Sequence, residues 1–481
     1  MKNSGILFFT RTIYALVFFS ALFVSCERAL NPNPDGDDKA PRLVQKVNDF
    51  VFNFMDDIYL WNAEMPKNID RKYEKDSKVY FDKLLYKKED KWSFITDDYE
   101  AVSQGGEGVE TTFGYSIHNV AYTLPDKNIV FIIQFVYPNT PASKAGLKRG
   151  DIIYRVDNTY ITDANLQEIW RKLFTASSIS LQLAKRTDSG ITPDISLNLT
   201  AVKMQLSAII EKKVFEIEGK KIGYLFYSDF FGGSETELSE VFQWFKTQGV
   251  NNFVLDLRYN LGGYGYVATH LASIVAPISV VNAEKVLITY QWNASYQKYW
   301  EQQKEYDRIR TLFKKDVPVN LNLNRIYVLT TINTASASEF VITGLEPYME
   351  VIKIGSATRG KYTGAILFQA QYYSNGKWVV DKEIKNWGIQ PIVERYANAL
   401  GVTDFKEGFK PDYAVTDISN TLIVKQLGDP QEPLLGKALE LITGVSYAAA
   451  IGPATKSYSP TELHLTPHND YFQGSVLRKI Y

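Results

Sequence analysis

The chain has 481 residues, 45% hydrophobic and 22% charged, with 53 lysines and arginines against 54 acids for a formal net charge of −1. That length accommodates two or three domains, each with its own core, and the charge balance excludes the basic footprint a nucleic-acid partner leaves. A single cysteine, Cys26, excludes an intramolecular disulfide.

At the N-terminus, Lys2 and Arg11 precede an apolar run from Ile13 to Val24, with small residues before Cys26. A charged start, a short apolar run and a small-residue end make an export signal, and the run is too short to span a bilayer comfortably. A cysteine directly after such a run resembles a bacterial lipobox, with Phe23 where leucine is usual. The resemblance implies lipid on Cys26 and a membrane-anchored lipoprotein, periplasmic or at the cell surface, with residues 1–26 as its signal. Residues 27–42, including "NPNPDGDDKAP", read as a polar tether.

From Leu43, Val44, Val47, Phe50, Val51, Phe54, Met55 and Ile58 recur at three- and four-residue steps, one apolar helical stripe. A second helical stretch follows near "SKVYFDKLLY". Residues 43–104 are expected to form a small helical unit with Trp61 and Trp92 in its core. Residues 105–203 change to short strands and turns. Within them "SKAGLKRGDIIYRVDN" resembles a PDZ domain. That resemblance implies a groove in which a polypeptide C-terminus adds a strand, with Phe113-Gly114-Tyr115-Ser116-Ile117 as the carboxylate loop and Asn165 to Phe174 as the groove helix.

Residues 204–445 alternate strand-like and helix-like stretches: "KIGYLFYS", "SETELSEVFQWFKTQG" with a capping box at Ser234–Glu237, "NNFVLDL", "YVATHLASIVA", "RIYVLTT" and "MEVIKIG". Such alternation predicts a layered α/β domain with parallel strands, whose ligands gather beyond the strands' carboxyl ends. "DLRYNLGG" and "NTASASEF" both fall at such ends. The tail 446–481 gives no clear pattern.

The site chemistry starts from absences. There are four histidines, no HExxH, no Cys/His cluster and no phosphate-cradling loop, so neither a metal nor a cofactor is expected. His270 falls mid-helix and reads as packed. "NTASASEF" offers three hydroxyls, Thr334, Ser336 and Ser338, where a strand meets a helix. Ser336 to Glu339 fits the S-x-x-E box that caps a helix, while the free N–H groups there would also stabilise an oxyanion. Local pattern alone leaves Ser336 and Ser338 both open as nucleophiles. Lys361, in "SATRGKYTG" 25 residues beyond Ser336, follows the next strand and returns to the same sheet end. To serve as a base it must fall from about 10.4 toward about 7–8, which burial supplies. Gly262 and Gly263, with the Ala337 N–H, form a candidate oxyanion hole, since glycine lets backbone approach closely.

Taken together these segments resemble the C-terminal processing peptidase family of serine proteases. The match runs in order from export signal to helical unit, PDZ domain, "DLRYNLGG", "NTASASEF" and the lysine loop. It implies Ser336 as nucleophile, Lys361 as base, a crotonase-like α/β core, and polypeptide substrates with apolar C-termini. The family's lysine loop typically reads T-x-G-K-G-x-x-Q; here Arg359 and Tyr362 flank the motif and Ala365 replaces the glutamine, leaving Gln369 as the candidate to orient the lysine. The missing glutamine also motivates an alternative, a non-catalytic peptide-binding lipoprotein on a degenerate protease scaffold.

Overall fold

The computed structural model describes residues 38–187, 190–447 and 457–462. Cys26, His464, His468 and most of the expected tether lie outside the described residues. The centre is a six-stranded sheet in the order Ile209–Ile217, Lys220–Tyr227, Asn252–Asp256, Arg325–Thr330, Glu350–Gly355 and Tyr413–Ala414. The first two strands are antiparallel and all other neighbours are parallel. Phe253, Val254, Leu255, Ile326, Val328 and Leu329 have no exposed surface, which is why these strands read as unbroken apolar runs rather than alternating ones. The α/β core expected from the alternation is therefore present.

Helices Glu235–Thr247 and Ala337–Leu345 make crossovers between neighbouring strands, and Gly265–Val275 packs against both. The capping box expected at Ser234 does not form. The Ser234 hydroxyl is buried and donates to the Phe231 carbonyl at 2.8 Å, and the Glu237 carboxylate accepts from Ser207 at 2.6 Å instead. Three adjacent parallel strands end at Asp256, Thr330 and Gly355. The glycine turn, the serine turn and the lysine loop leave these ends side by side, so sheet order alone gathers the three segments.

Residues 109–205 form an inserted β domain. Its neck is an antiparallel pair, Val109–Thr112 with Val202–Gln205. Inside, Tyr115–Ile117 pairs with Ile129–Val136, and helix Leu166–Thr175, preceded by Asn165, packs Ile169, Trp170, Leu173 and Phe174 into the domain core. The tail returns here: Ser459–Glu462 pairs antiparallel with Val120–Thr123.

The N-terminal unit has helices Arg42–Ile58, Ser77–Leu84 and Tyr99–Gly106, but it is not self-contained. Its strand Phe94–Thr96 joins Gly388–Gln390 and Phe368–Gln369 in one sheet. Val51, Met55, Tyr59, Tyr80 and Leu84 share a core with Ala370, Ile384, Ile389 and Ile392. The helical stripe was readable as amphipathic; the partner it covers comes from more than 300 residues later in the chain, beyond any local pattern.

Candidate active site

The strand Arg325–Thr330 feeds a turn that ends at Ser336, the residue before helix Ala337–Leu345. Two of the three hydroxyls in that turn are committed to structure. Thr334 Oγ1 donates to the Leu257 carbonyl at 2.8 Å, and Ser338 Oγ donates to the Asn260 carbonyl at 3.0 Å; both residues are fully buried. Ser336 alone is half-buried and lines a cleft of about 330 Å³. Its backbone sits at φ 55°, ψ −112°, a left-handed conformation that costs a non-glycine residue about 1–3 kcal/mol and persists where surroundings enforce it. Geometry thus separates Ser336 from Ser338, which spacing alone could not.

What enforces it is Glu339, fully buried. Its Oε2 accepts the Ser336 N–H at 3.0 Å and the Lys361 N–H at 2.8 Å. Its Oε1 accepts the Gly360 N–H and the Thr358 hydroxyl, both at 2.6 Å. Burial pushes this carboxyl up and the four bonds oppose that rise. One carboxylate therefore clamps the serine turn to the lysine loop. Tyr396 repeats the bridge from another side, its hydroxyl donating toward the carbonyls of Ser336 (3.2 Å) and Lys361 (2.8 Å). Arg359 adds bonds to the Ile332 carbonyl (2.6 Å) and Asn333 Oδ1 (2.8 Å). The sequence pattern read Glu339 only as a capping acid and Arg359 only as a departure.

Lys361 lines the same cleft and is 6% exposed. Burial lowers its amine to about 8, against the opposing pull of the Asp90 and Glu339 carboxylates. Its Nζ lies 5.5 Å from the centroid of the Trp92 ring. Asp90 is itself fixed by the Tyr59 hydroxyl (2.8 Å) and by the N–H groups of Trp92 and Ser93 (2.9 Å each). Asp90 and Trp92 were missed as site residues. Their only signal was composition, an acid and an indole in "EDKWSF", indistinguishable from core or loop.

The glycine turn corrects the expected oxyanion hole. The Gly262 N–H is already donated to Asn260 Oδ1 at 2.9 Å, so it is unavailable to a ligand. Gly262 is required for space: its φ is 109°, and a Cβ there would lie 2.7 Å from the Ser336 Cβ. Gly263, at φ 133°, would drive a Cβ to 2.3 Å from the Phe230 carbonyl oxygen. Among the described residues, no protein acceptor takes the N–H of Gly263 or of Ala337, which leaves these two donors beside Ser336. Gln369 is likewise not with the others. Its amide donates to the Lys385 carbonyl at 2.8 Å within the three-stranded sheet, and Ala365 lines the cleft instead. Among the described residues no histidine lines this cleft: His270 Nε2 meets Ser239 Oγ at 2.8 Å, in a separate surface hollow.

A buried ion network anchors the glycine turn to the inserted domain. Arg258, with no exposed surface, meets Asp256, Asp417 and Glu432 at 2.6–2.9 Å. Arg149, from the inserted domain, reaches Asp417 and the Tyr259 hydroxyl, both at 2.7 Å. Burial raises the Asp417 carboxyl, but Arg149 and Arg258 outweigh it and hold it well below the usual range. In the inserted domain, Phe113, Tyr115, Ser116 and Ile117 are buried, the Gly114 N–H is engaged by Thr112 Oγ1 at 3.0 Å, and the Tyr115 hydroxyl donates to the Leu173 carbonyl at 2.7 Å.

Residues 221–415 match the family model described as Peptidase family S41, and residues 46–94 the one described as Peptidase S41 N-terminal domain. Over 342 residues the chain is 22% identical to the carboxyl-terminal-processing protease of a Picosynechococcus species, covering 70% of each. It is 24% identical over 323 residues to the chloroplastic carboxyl-terminal-processing peptidase 2 of Arabidopsis thaliana, spanning 66% of this chain but only 55% of that relative. A crystal structure assigned to an S41 protease of Bacteroides fragilis superposes with a TM-score of 0.68 at 27% identity, over 82% of this chain and 97% of that one.

Proposed function

The chain belongs to peptidase family S41, and on that premise we propose that it is a serine endopeptidase of the C-terminal processing type, with Ser336 as nucleophile and Lys361 as base. The observation that carries the assignment is the presence, in one cleft, of a half-buried serine in strained backbone and a buried lysine held near neutrality. Neutral Lys361 takes the hydroxyl proton as Ser336 Oγ attacks the scissile carbonyl, and returns it to the leaving amine; water then releases the acyl group by the same route. The developing oxyanion is received by the Gly263 and Ala337 N–H groups, an arrangement in which one lost donor typically costs about 100-fold or more. With Gln369 elsewhere, the work of orienting the lysine falls to the walls around it, Trp92 and Asp90, and to the backbone clamp of Glu339.

The inserted domain is PDZ-like in this reading and binds apolar polypeptide C-termini. Support comes from strand Tyr115–Ile117, which among the described strands pairs on one side only and so offers an edge for strand addition. Lipid on Cys26 would hold the enzyme at a membrane surface after export. Among the described residues no helix is long and apolar enough to cross a membrane.

The test is cleavage of an unstructured, apolar-tailed polypeptide. Ser336→Ala and Lys361→Ala each abolish turnover with the fold retained, and a serine-directed phosphonate labels Ser336. Near-wild-type turnover by Lys361→Ala sinks the dyad; a wild-type protein that neither cuts nor takes the label is the scaffold of the alternative reading.

A further inference from the structure

Glu394 has no part in the mechanism above, yet it lines the same cleft as Ser336 and Lys361. It lies on strand Ile392–Asn398, two residues before Tyr396. Alternate residues of a strand share a face, about 7 Å apart, and Tyr396 touches the Ser336 carbonyl. The neighbour Arg395 interacts elsewhere, with Gln291 and Asp404. The Glu394 carboxyl lies over Gly364, where an added Cβ would come within 2.6 Å of its Oε1. Glycine at 364 leaves the room the carboxyl occupies.

Among the described residues no hydrogen bond or ion pair meets this carboxyl, and burial alone pushes it up to about 8. Its aromatic neighbours in the cleft are Tyr290, Phe340 and Tyr396. Both tyrosine hydroxyls are engaged elsewhere, Tyr290 with Thr311 Oγ1 at 2.8 Å and Tyr396 with the two carbonyls named above. Glu394 is half-buried, and an acid largely removed from water without a partner is costly unless something supplies a donor. With Glu394 ionised, the cleft as a whole carries the carboxylates of Glu110, Asp229 and Glu394 against one cation, Lys361, a field that favours positive charge arriving from outside. Apolar walls ending in a carboxyl fit a side chain with a long aliphatic stem and a cationic head.

We propose that Glu394 is a specificity-determining residue that receives a lysine or arginine side chain of the substrate polypeptide next to the bond being cut. The assignment rests on the peptidase reading of the cleft. As the cation arrives the Glu394 carboxyl gives up its proton to solvent, and a charge-assisted bond forms between the substrate's ammonium or guanidinium and the carboxylate, with the stem against Phe340 and the two tyrosines. It is separate from the C-terminal tail that the inserted domain holds.

The experiment uses the whole protein and a peptide set in which each position flanking the scissile bond carries lysine, arginine, leucine, glutamine or glutamate. Wild type prefers lysine or arginine at one position. Glu394→Gln lowers the lysine-to-leucine ratio of kcat/KM by at least about 30-fold, and Glu394→Lys turns the preference toward glutamate. If Ser336-dependent cleavage persists and both variants keep the wild-type ratios, the inference alone is overturned. If wild type cuts no peptide, or Ser336→Ala cuts as well, the peptidase reading falls and this assignment with it.

Discussion

Trp92→Ala tests whether burial is what fits Lys361 to its proposed role as base. In the intact protein Lys361 is 6% exposed and burial lowers its amine from 10.5 to about 8, a change worth roughly 3 kcal/mol. The indole acts in two opposed ways. Its bulk excludes water and favours the neutral amine, while its face attracts the ammonium, by about 2 kcal/mol at a desolvated site. The first effect is larger, so removing the ring raises the lysine. At pH 7 an amine of pKa about 8 is about 9% neutral, and one of pKa about 9, roughly two-fifths of the depression recovered, is about 1% neutral. The expected loss in kcat/KM is therefore about ninefold at pH 7 but only about 10% at pH 10. Fluorogenic-peptide kinetics from pH 6 to pH 10.5 read this directly: the variant's rising limb moves to higher pH while the plateau is kept. A variant whose profile is scaled down uniformly, with its limb unmoved, refutes burial by Trp92 as the cause.

Glu339→Gln keeps the side chain's volume but turns one acceptor into a donor facing N–H groups. It should cost about 2–4 kcal/mol of stability, read by urea unfolding, together with at least a tenfold loss of kcat from the loosened clamp, on the order expected when catalytic groups lose their alignment. Gly262→Ala forces a Cβ against Ser336 and should lower kcat by about 100-fold or more while leaving phosphonate-independent binding of a tail peptide intact. Gln369→Ala should leave kcat/KM within about twofold, as expected of a surface bond to a carbonyl; a loss matching Lys361→Ala would restore Gln369 as the lysine's partner. Asp417→Asn removes a carboxylate shared by Arg149 and Arg258 and should destabilise by about 3–5 kcal/mol. Because the folded carboxyl is depressed, that stabilisation is full above the unfolded pKa of about 4 and fades as pH falls below it. The gap between wild type and variant should narrow accordingly in acid unfolding curves.

Much of the fold is carried by local pattern. Unbroken apolar strands separated by amphipathic helices announce a parallel α/β core, and the serine and lysine segments fall at strand ends that sheet order makes neighbours. What spacing could not reveal depends on which hydroxyl is already spent. Thr334 and Ser338 look like Ser336 in the sequence and differ only because the 257–260 carbonyls stand opposite them. The same holds for Gly262, whose N–H is taken by a side chain two residues earlier. Gln369 was chosen by nearness along the chain, yet a strand pairing carries it to the far sheet. Trp92 and Asp90 are more than 260 positions from the lysine they surround, a separation no window along the sequence spans.

That last contact has a practical meaning for how this enzyme can be divided. The stretch that holds the two proposed reacting side chains, cut out as a cassette, would arrive with its amine open to bulk solvent and almost wholly charged at neutral pH. Proton affinity in this molecule is a property of the assembled whole, supplied by a segment made early in synthesis to a residue made late. Any process that peels that first segment away would weaken the proposed chemistry at neutral pH while leaving Ser336 and Lys361 themselves untouched.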